Sequence, residues 1–244
     1  MDRYELRVWL PDRPGALGLV ASRIGSVGGD VVGIDILERD QGQAIDELVV
    51  ELADPGLVPL LLSEVRQVDG ITVESIRTLA GPFVDPGVGA LDAAFRLVAA
   101  HDQRALFGAL GEACHEGATA DWSAVAPAHG DELLFGRGTP PAASWIVAFV
   151  DGARRATGDP AEHGPVDVAW AEMPATAAVL AIGRQGRPFR SHERRRLAGL
   201  AAIAERRWSE LAAGDSAGRR HSFGAPAPGT VDRGDPAGVP TVGG

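Results

Sequence analysis

Apolar and polar residues alternate from the start of the chain. Tyr4, Leu6, Val8 and Leu10 fall between Glu5, Arg7 and Trp9, the period-two pattern of a strand with one buried face. Asp12-Arg13-Pro14-Gly15 then reads as a helix start, with Asp12 as its N-cap and Pro14 in the first turn. Leu17, Val20, Ile24 and Val27 follow at helical spacing, and Gly28-Gly29 closes the helix. Val32, Ile34 and Ile36 form a second strand, Asp40-Gln41-Gly42-Gln43 a turn, and Leu48, Val50 and Leu52 a third strand, so these two read as a hairpin. Asp54-Pro55-Gly56 opens a second helix with Val58, Leu61, Leu62, Val65 and Val68 on one face. Asp69-Gly70 breaks it, and Ile71–Leu79 is a last strand. The order β-α-β-β-α-β over residues 1–80 is the split βαβ, or ferredoxin-like, arrangement.

Gly and Pro mark residues 81–88 as a linker. A second domain is expected over 89–213. Leu91, Ala94, Phe95 and Val98 mark the apolar face of one helix, and Leu106, Phe107, Leu110, Ala113 and Cys114 that of another, with Asp102 as N-cap. Ala118–Val125 and Glu132–Phe135 read as short strands. Thr139-Pro140-Pro141 opens a helix carrying Trp145, Ile146, Phe149, Val150 and Ala153 on one face, with Trp145 expected in the core. A polar loop precedes two further strands, Asp167–Glu172 and Ala177–Gly183. Ser191 then caps a long helix with Leu197, Leu200, Ala201, Ala204, Trp208 and Leu211 as its stripe. Periodicity ends at Gly214, and 214–244 reads as a disordered tail. The expected class is α+β, with two antiparallel sheets.

Composition narrows the chemistry. All 23 basic residues are arginine; the chain has neither lysine nor asparagine, which excludes a P-loop lysine and a Schiff-base lysine. The net charge of −10 argues against nucleic acid as a partner. The longest apolar runs fall well short of the roughly 20 residues of a membrane span. No secretory signal is read at the start, and the single Cys114 makes no internal disulfide, so a cytoplasmic protein is expected.

The loop Asp12-Arg13-Pro14-Gly15-Ala16-Leu17 between first strand and first helix, within this element order, resembles the ACT domain family over residues 3–80. The resemblance implies domains paired side by side as a homodimer, with an amino acid or similar effector between the first loop and the neighbouring second strand. It assigns Asp12, Pro14, Gly15, Ala16 and Leu17 from the loop, and Val31, Gly33 and Ile34 from the strand, as ligand-binding residues. A helix N-terminus offers free amides and a positive dipole end to a carboxylate, here through Gly15, Ala16 and Leu17. Asp12 either caps the helix or meets the ligand's ammonium group, and the two roles can coexist. Members of the family often carry Asn in this loop, and this chain has none.

Ala178–Gly183, the turn Arg187-Pro188-Phe189-Arg190 and the Glu193–Leu211 helix are similar to the ending of a GAF domain. That family implies a small-ligand pocket or a dimerisation surface, and no ligand residue transfers. Cys114 is expected as a small buried residue, and His192 as solvated. Arginines 184, 187, 190, 194, 195, 196, 206 and 207 are read as a solvated helix face in preference to an anion-binding surface. No nucleophile–base set, metal cluster or cofactor site is found. The expectation is a non-catalytic, allosteric signal-transduction protein binding a metabolite at the ACT-like domain, with an unknown protein as output partner. A ligand-free dimerisation module, and an enzyme with catalysis in the second domain, are the alternatives.

Overall fold

The first strand, β1 (Asp2–Pro11), turns Tyr4, Leu6, Val8 and Leu10 into a core and Glu5, Arg7 and Trp9 to the opposite face. It lies between β3 (Gln43–Leu52) and β4 (Thr72–Leu79), antiparallel to both, and β2 (Asp30–Asp40) pairs on the far side of β3. The resulting order β2-β3-β1-β4 is the ferredoxin-like one. α1 (Ala16–Ser26) and α2 (Val58–Val65) cover the apolar face, burying Ala16, Val20 and Ile24 from one and Leu61 and Val65 from the other. Asp54 caps the single 3-10 turn ahead of α2, accepting from the Gly56 amide at 2.8 Å.

The computed structural model describes residues 1–79, 81, 84–155 and 167–222, with side chains of the last helix placed through residue 214. Residues 1–211 form one compact unit. Its second half begins with α3 (Pro86–Ala99) and α4 (Gln103–Gly117), followed by β5 (Trp122–Pro127), β6 (Phe135–Gly138) and α5 (Ala143–Arg155). β7 (Val168–Met173), β8 (Ala178–Gly183) and α6 (Ser191–Ser222) complete it. The strands form an antiparallel sheet in the order β6-β5-β8-β7. β8 is buried along its whole length: Leu180 and Ile182 join a core with α3, α4 and α6, while Val179 and Ala181 join another with Ile146 and Val150 of α5.

Five expectations change. The strand foreseen at Glu132–Phe135 lies instead at Phe135–Gly138. The linker is shorter than 81–88, because the Asp85 carboxylate accepts from the Gly87 and Val88 amides and Pro86 occupies the first helical position, so Pro-Gly starts a helix there. Residues 80, 82 and 83 of that linker, and the polar loop at 156–166, lie outside the described residues. The apolar face foreseen for α3 points outward: Ala93 and Leu97 are buried, whereas Leu91 and Phe95 are 72% and 74% exposed. Trp145 is exposed rather than core and stacks on Phe149 at 5.2 Å. The last helix continues past Gly214 to Ser222, since one glycine costs a helix only about 1 kcal/mol; the remainder of the expected tail, 223–244, lies outside the described residues.

Candidate functional site

Where β1 ends, the chain turns tightly before α1. The Asp12 amide donates to Gly42 O at 2.9 Å, Arg13 N to Pro11 O at 2.8 Å, and Ala16 N to Arg13 O at 3.2 Å. Gly15, at φ 87°, is the N-cap of α1 and contributes no side-chain hydrogen bond. Asp12 is therefore not the N-cap, and Pro14 precedes the first turn rather than joining it. The left-handed backbone at Gly15 sets the start of the helix, and only glycine adopts that conformation cheaply. The Asp12 carboxylate instead lies 4.0 Å from Arg39 Nε of β2, with both side chains exposed. A Cβ added at Gly15 would meet nothing within 4 Å, so the space above the loop is open. The Ala16 amide is already taken. Those of Leu17 and Gly18 meet no acceptor among the described residues.

The second group of foreseen residues is elsewhere on the sheet. Val31 pairs with Val50, which pairs with Tyr4; Gly33 pairs with Val49, and Ile34 with Leu48, which pairs with Leu6. The loop leaves from Pro11, at the other end of β1. At about 3.3 Å per strand residue the separation is roughly 16–23 Å. One chain thus does not bring Val31, Gly33 and Ile34 to Asp12, Pro14, Gly15, Ala16 and Leu17. β2 is an edge strand, and Ile34 and Ile36 stand exposed on it.

The charged face of the first sheet holds a cluster the sequence reading missed. The Arg7 guanidinium is fully buried: Nη2 meets Glu47 Oε2 at 2.6 Å, Nη1 donates to Pro188 O at 3.0 Å, and Glu193 and Glu74 lie at 3.6 and 3.8 Å. Arg187 and Arg77 both pair with Glu5. Arg184 meets Glu193 at 2.7 Å and Ala118 O at 2.7 Å, and Arg190 meets Glu74 at 2.5 Å. His192 and Arg196 share Asp35 at 3.0 and 3.4 Å. Arg184, Arg187, Arg190 and Arg196 are thus not a solvated face, and His192 is not simply solvated, whereas Arg195 and Arg206 are exposed as foreseen. These residues form an ion seam joining the turn after β8 and the start of α6 to the first sheet. The signal was present in the alternation Glu5-Arg7 on β1 and in Glu47 on β3, where a second buried face would ordinarily be apolar.

Burial pushes the Glu47 carboxyl up to about 7, with the nearby Glu5 charge adding to it, and the Arg7 contact does not compensate. Arg7 itself is pushed upward because the carboxylates around it outweigh its own burial. For Glu5 and Glu193 burial acts upward too, but hydrogen bonds from Arg77 and Arg184 and the surrounding guanidinium charges hold both below the usual carboxylate range. Burial, then the Arg184 charge, brings Arg187 down to about 10.

An open groove of about 600 Å³ runs beside the seam, lined by Ile34 and Asp35 of β2, Asp85, Pro86 and Ala90 at the start of α3, and Arg196 of α6. Cys114 is buried as foreseen, and burial pushes its thiol up to about 12. Among the described residues no three His, Cys, Asp or Glu side chains are placed to hold a metal, and no helix is long and apolar enough to cross a membrane.

No protein-family model matches this chain, and no curated protein matches it. Solved structures show faint likenesses. The crystal structure of the ACT domain from GTP pyrophosphokinase of Chlorobium tepidum is 16% identical, covering 32% of this chain and 100% of that one, at a TM-score of 0.27. The solution structure of the same domain is 15% identical over 33% and 88%, at 0.26. A crystal structure of an unknown protein from Galdieria sulphuraria is 13% identical over 54% and 75%, at 0.30. Likenesses of this size carry no functional argument.

Proposed function

We propose that the chain is a non-catalytic regulatory protein of the ACT type, in which a paired ferredoxin-like domain takes an amino acid or related metabolite at the Asp12–Leu17 loop. The loop itself carries the proposal. Open space at Gly15 and unpaired amides at Leu17 and Gly18 adjoin the positive end of α1, which suits a carboxylate. The Asp12 carboxylate, exposed beside the loop, is assigned to the ammonium group. Val31, Gly33 and Ile34 complete the site from a second copy. When two β2 edges pair antiparallel about an axis near Asp35, residues 31–34 of one copy lie beside 36–39 of the other, the end next to the loop.

The second half is read as a GAF-like relay, supported by an antiparallel sheet with helices on both faces. The ion seam is its physical contact with the first sheet. A ligand preferring one arrangement of the seam shifts the population toward it by its differential affinity. An assembly module with an empty loop is the competing reading, favoured by the exposed apolar face of α3.

Thermal unfolding against the twenty amino acids separates the two. A ligand at one hundred times its dissociation constant adds about 2.7 kcal/mol, or roughly 5–10 °C for a domain of this size. Gly15→Trp fills the loop, and Gly15→Ala imposes the same backbone strain without filling it. The expected result is a shift with a small set of amino acids, lost in the tryptophan variant and kept in the alanine variant. No shift from any amino acid refutes an amino acid as the ligand of the loop and puts the assembly module ahead.

A further inference from the structure

The helix α3 carries apolar residues on two sides. Its Ala93 and Leu97 face the core, while Val88, Leu91, Phe95 and Val98 are 52%, 72%, 74% and 58% exposed. Spacings of three, four and three residues put these four on one stripe, the a–d–a–d rhythm of a helix that packs along another helix. Val84 extends the stripe at its N-terminal end, lying against Gly89 and also exposed. Asp92 and Arg96 give α3 a narrow polar strip, but an apolar stripe this large is seldom left open to water.

We infer that this stripe is the surface on which a second copy of the chain docks, two α3 helices packing antiparallel about a two-fold axis that crosses the stripe between Leu91 and Phe95, level with Ala93. The inference presupposes the paired chain of the reading above but not its ligand. The stripe is a palindrome: reversed about residue 93, Val88 falls opposite Val98 and Leu91 opposite Phe95. An isologous interface requires this self-complementarity, since each residue must find its partner on the same patch of the other copy. Small residues at Gly87, Gly89, Ala90 and Ala94 allow close approach.

The area agrees with a second copy as occupant. From the exposed fractions, the five side chains on and beside α3 present roughly 500 Å² of apolar surface, at the upper end of what a typical monomer leaves uncovered. The groove lined by Ile34 together with Pro86 and Ala90 places the start of α3 beside β2, where Ile34 and Ile36 are exposed. With these two the surface reaches roughly 700 Å² per copy, against about 800 Å² per partner in a standard stable interface. The start of α3 and the free edge of β2 therefore flank one groove, with Asp35, Asp85 and Arg196 between their apolar residues.

Sedimentation equilibrium of the full chain tests this, comparing wild type with Leu91→Glu/Phe95→Glu and with Leu91→Ser/Phe95→Ser. Both residues are exposed, so the variants keep the far-UV circular dichroism and unfolding cooperativity of a folded protein. The expected result is twice the chain mass of 25.3 kDa for wild type. The serine pair dissociates at least ~100-fold more readily, and the glutamate pair is monomeric. Variants that stay paired like wild type overturn the α3 surface while leaving pairing through β2 standing. A wild type that is monomeric at every concentration overturns both.

Discussion

Replacing Glu47 by glutamine probes how the charges of the seam are balanced. In the folded chain the Glu47 carboxyl titrates at about 7, raised from 4.5. Between those two values the folded state holds a proton that the unfolded state has released, so folding stability falls as pH rises through the window and levels off above it. A gap of about 2.5 units at about 1.36 kcal/mol each puts the loss on the order of 3 kcal/mol. Glutamine copies the protonated carboxyl in shape and cannot ionise, so the variant escapes the loss. Arg7 retains Glu193 at 3.6 Å and Glu74 at 3.8 Å as countercharges in the variant. The acid-side losses from Glu5 and Glu193, whose carboxyls are held low, fall below the unfolded carboxylate value of 4.5 and so outside a comparison made between pH 5 and pH 8. Wild type and Glu47→Gln are therefore expected to melt close together at pH 5, with the variant ahead by about 6–12 °C at pH 8. Calorimetry of both proteins at several pH values reads this directly. A gap independent of pH, or a wild type that gains on the variant as pH rises, refutes the idea that burial and the Glu5 charge outweigh the Arg7 contact.

Two other positions give direct tests of packing. Cys114 is buried with its thiol pushed up to about 12, so it resists a thiol-reactive dye in the native protein and is labelled stoichiometrically in urea; rapid native labelling contradicts that placement. At Gly183 an added Cβ would come within 2.3 Å of the Trp122 ring, so Gly183→Ala lowers stability by about 1–3 kcal/mol in denaturant unfolding, and a neutral result contradicts the close approach.

The first sheet was legible because its residues alternate cleanly. Leu6, Val8, Leu48 and Val50 are buried where the period-two pattern puts them, and Val20 and Ile24 where the helical one does. The start of α1 was misplaced because Gly15 turns the backbone by its own conformation, leaving the Asp12 side chain free of the capping role its type suggests. For α3 the pattern was ambiguous rather than absent. Large side chains at 91, 95 and 98 outweighed Ala93 and Leu97 in the reading, yet close packing selected the side with the small residue. The arginines of 184–196 were legible as charge and not as contacts, because partners such as Glu5, Asp35 and Glu74 lie more than a hundred residues away in sequence. The two groups of the candidate ligand site were read as residues, but their separation on the sheet depends on strand direction, which only pairing reveals.

The ion seam has a bearing on motion. Two surfaces joined by grease resist parting, because water gains nothing at either exposed face. Here the surfaces meet through Glu5, Arg7, Arg187 and Glu193, groups that water solvates well once it reaches them. Opening such a joint trades ion pairs for hydration, a near-balanced exchange that salt tilts toward the open form by screening the attraction. Raised ionic strength is therefore expected to loosen this joint while leaving the apolar cores on either side of it packed.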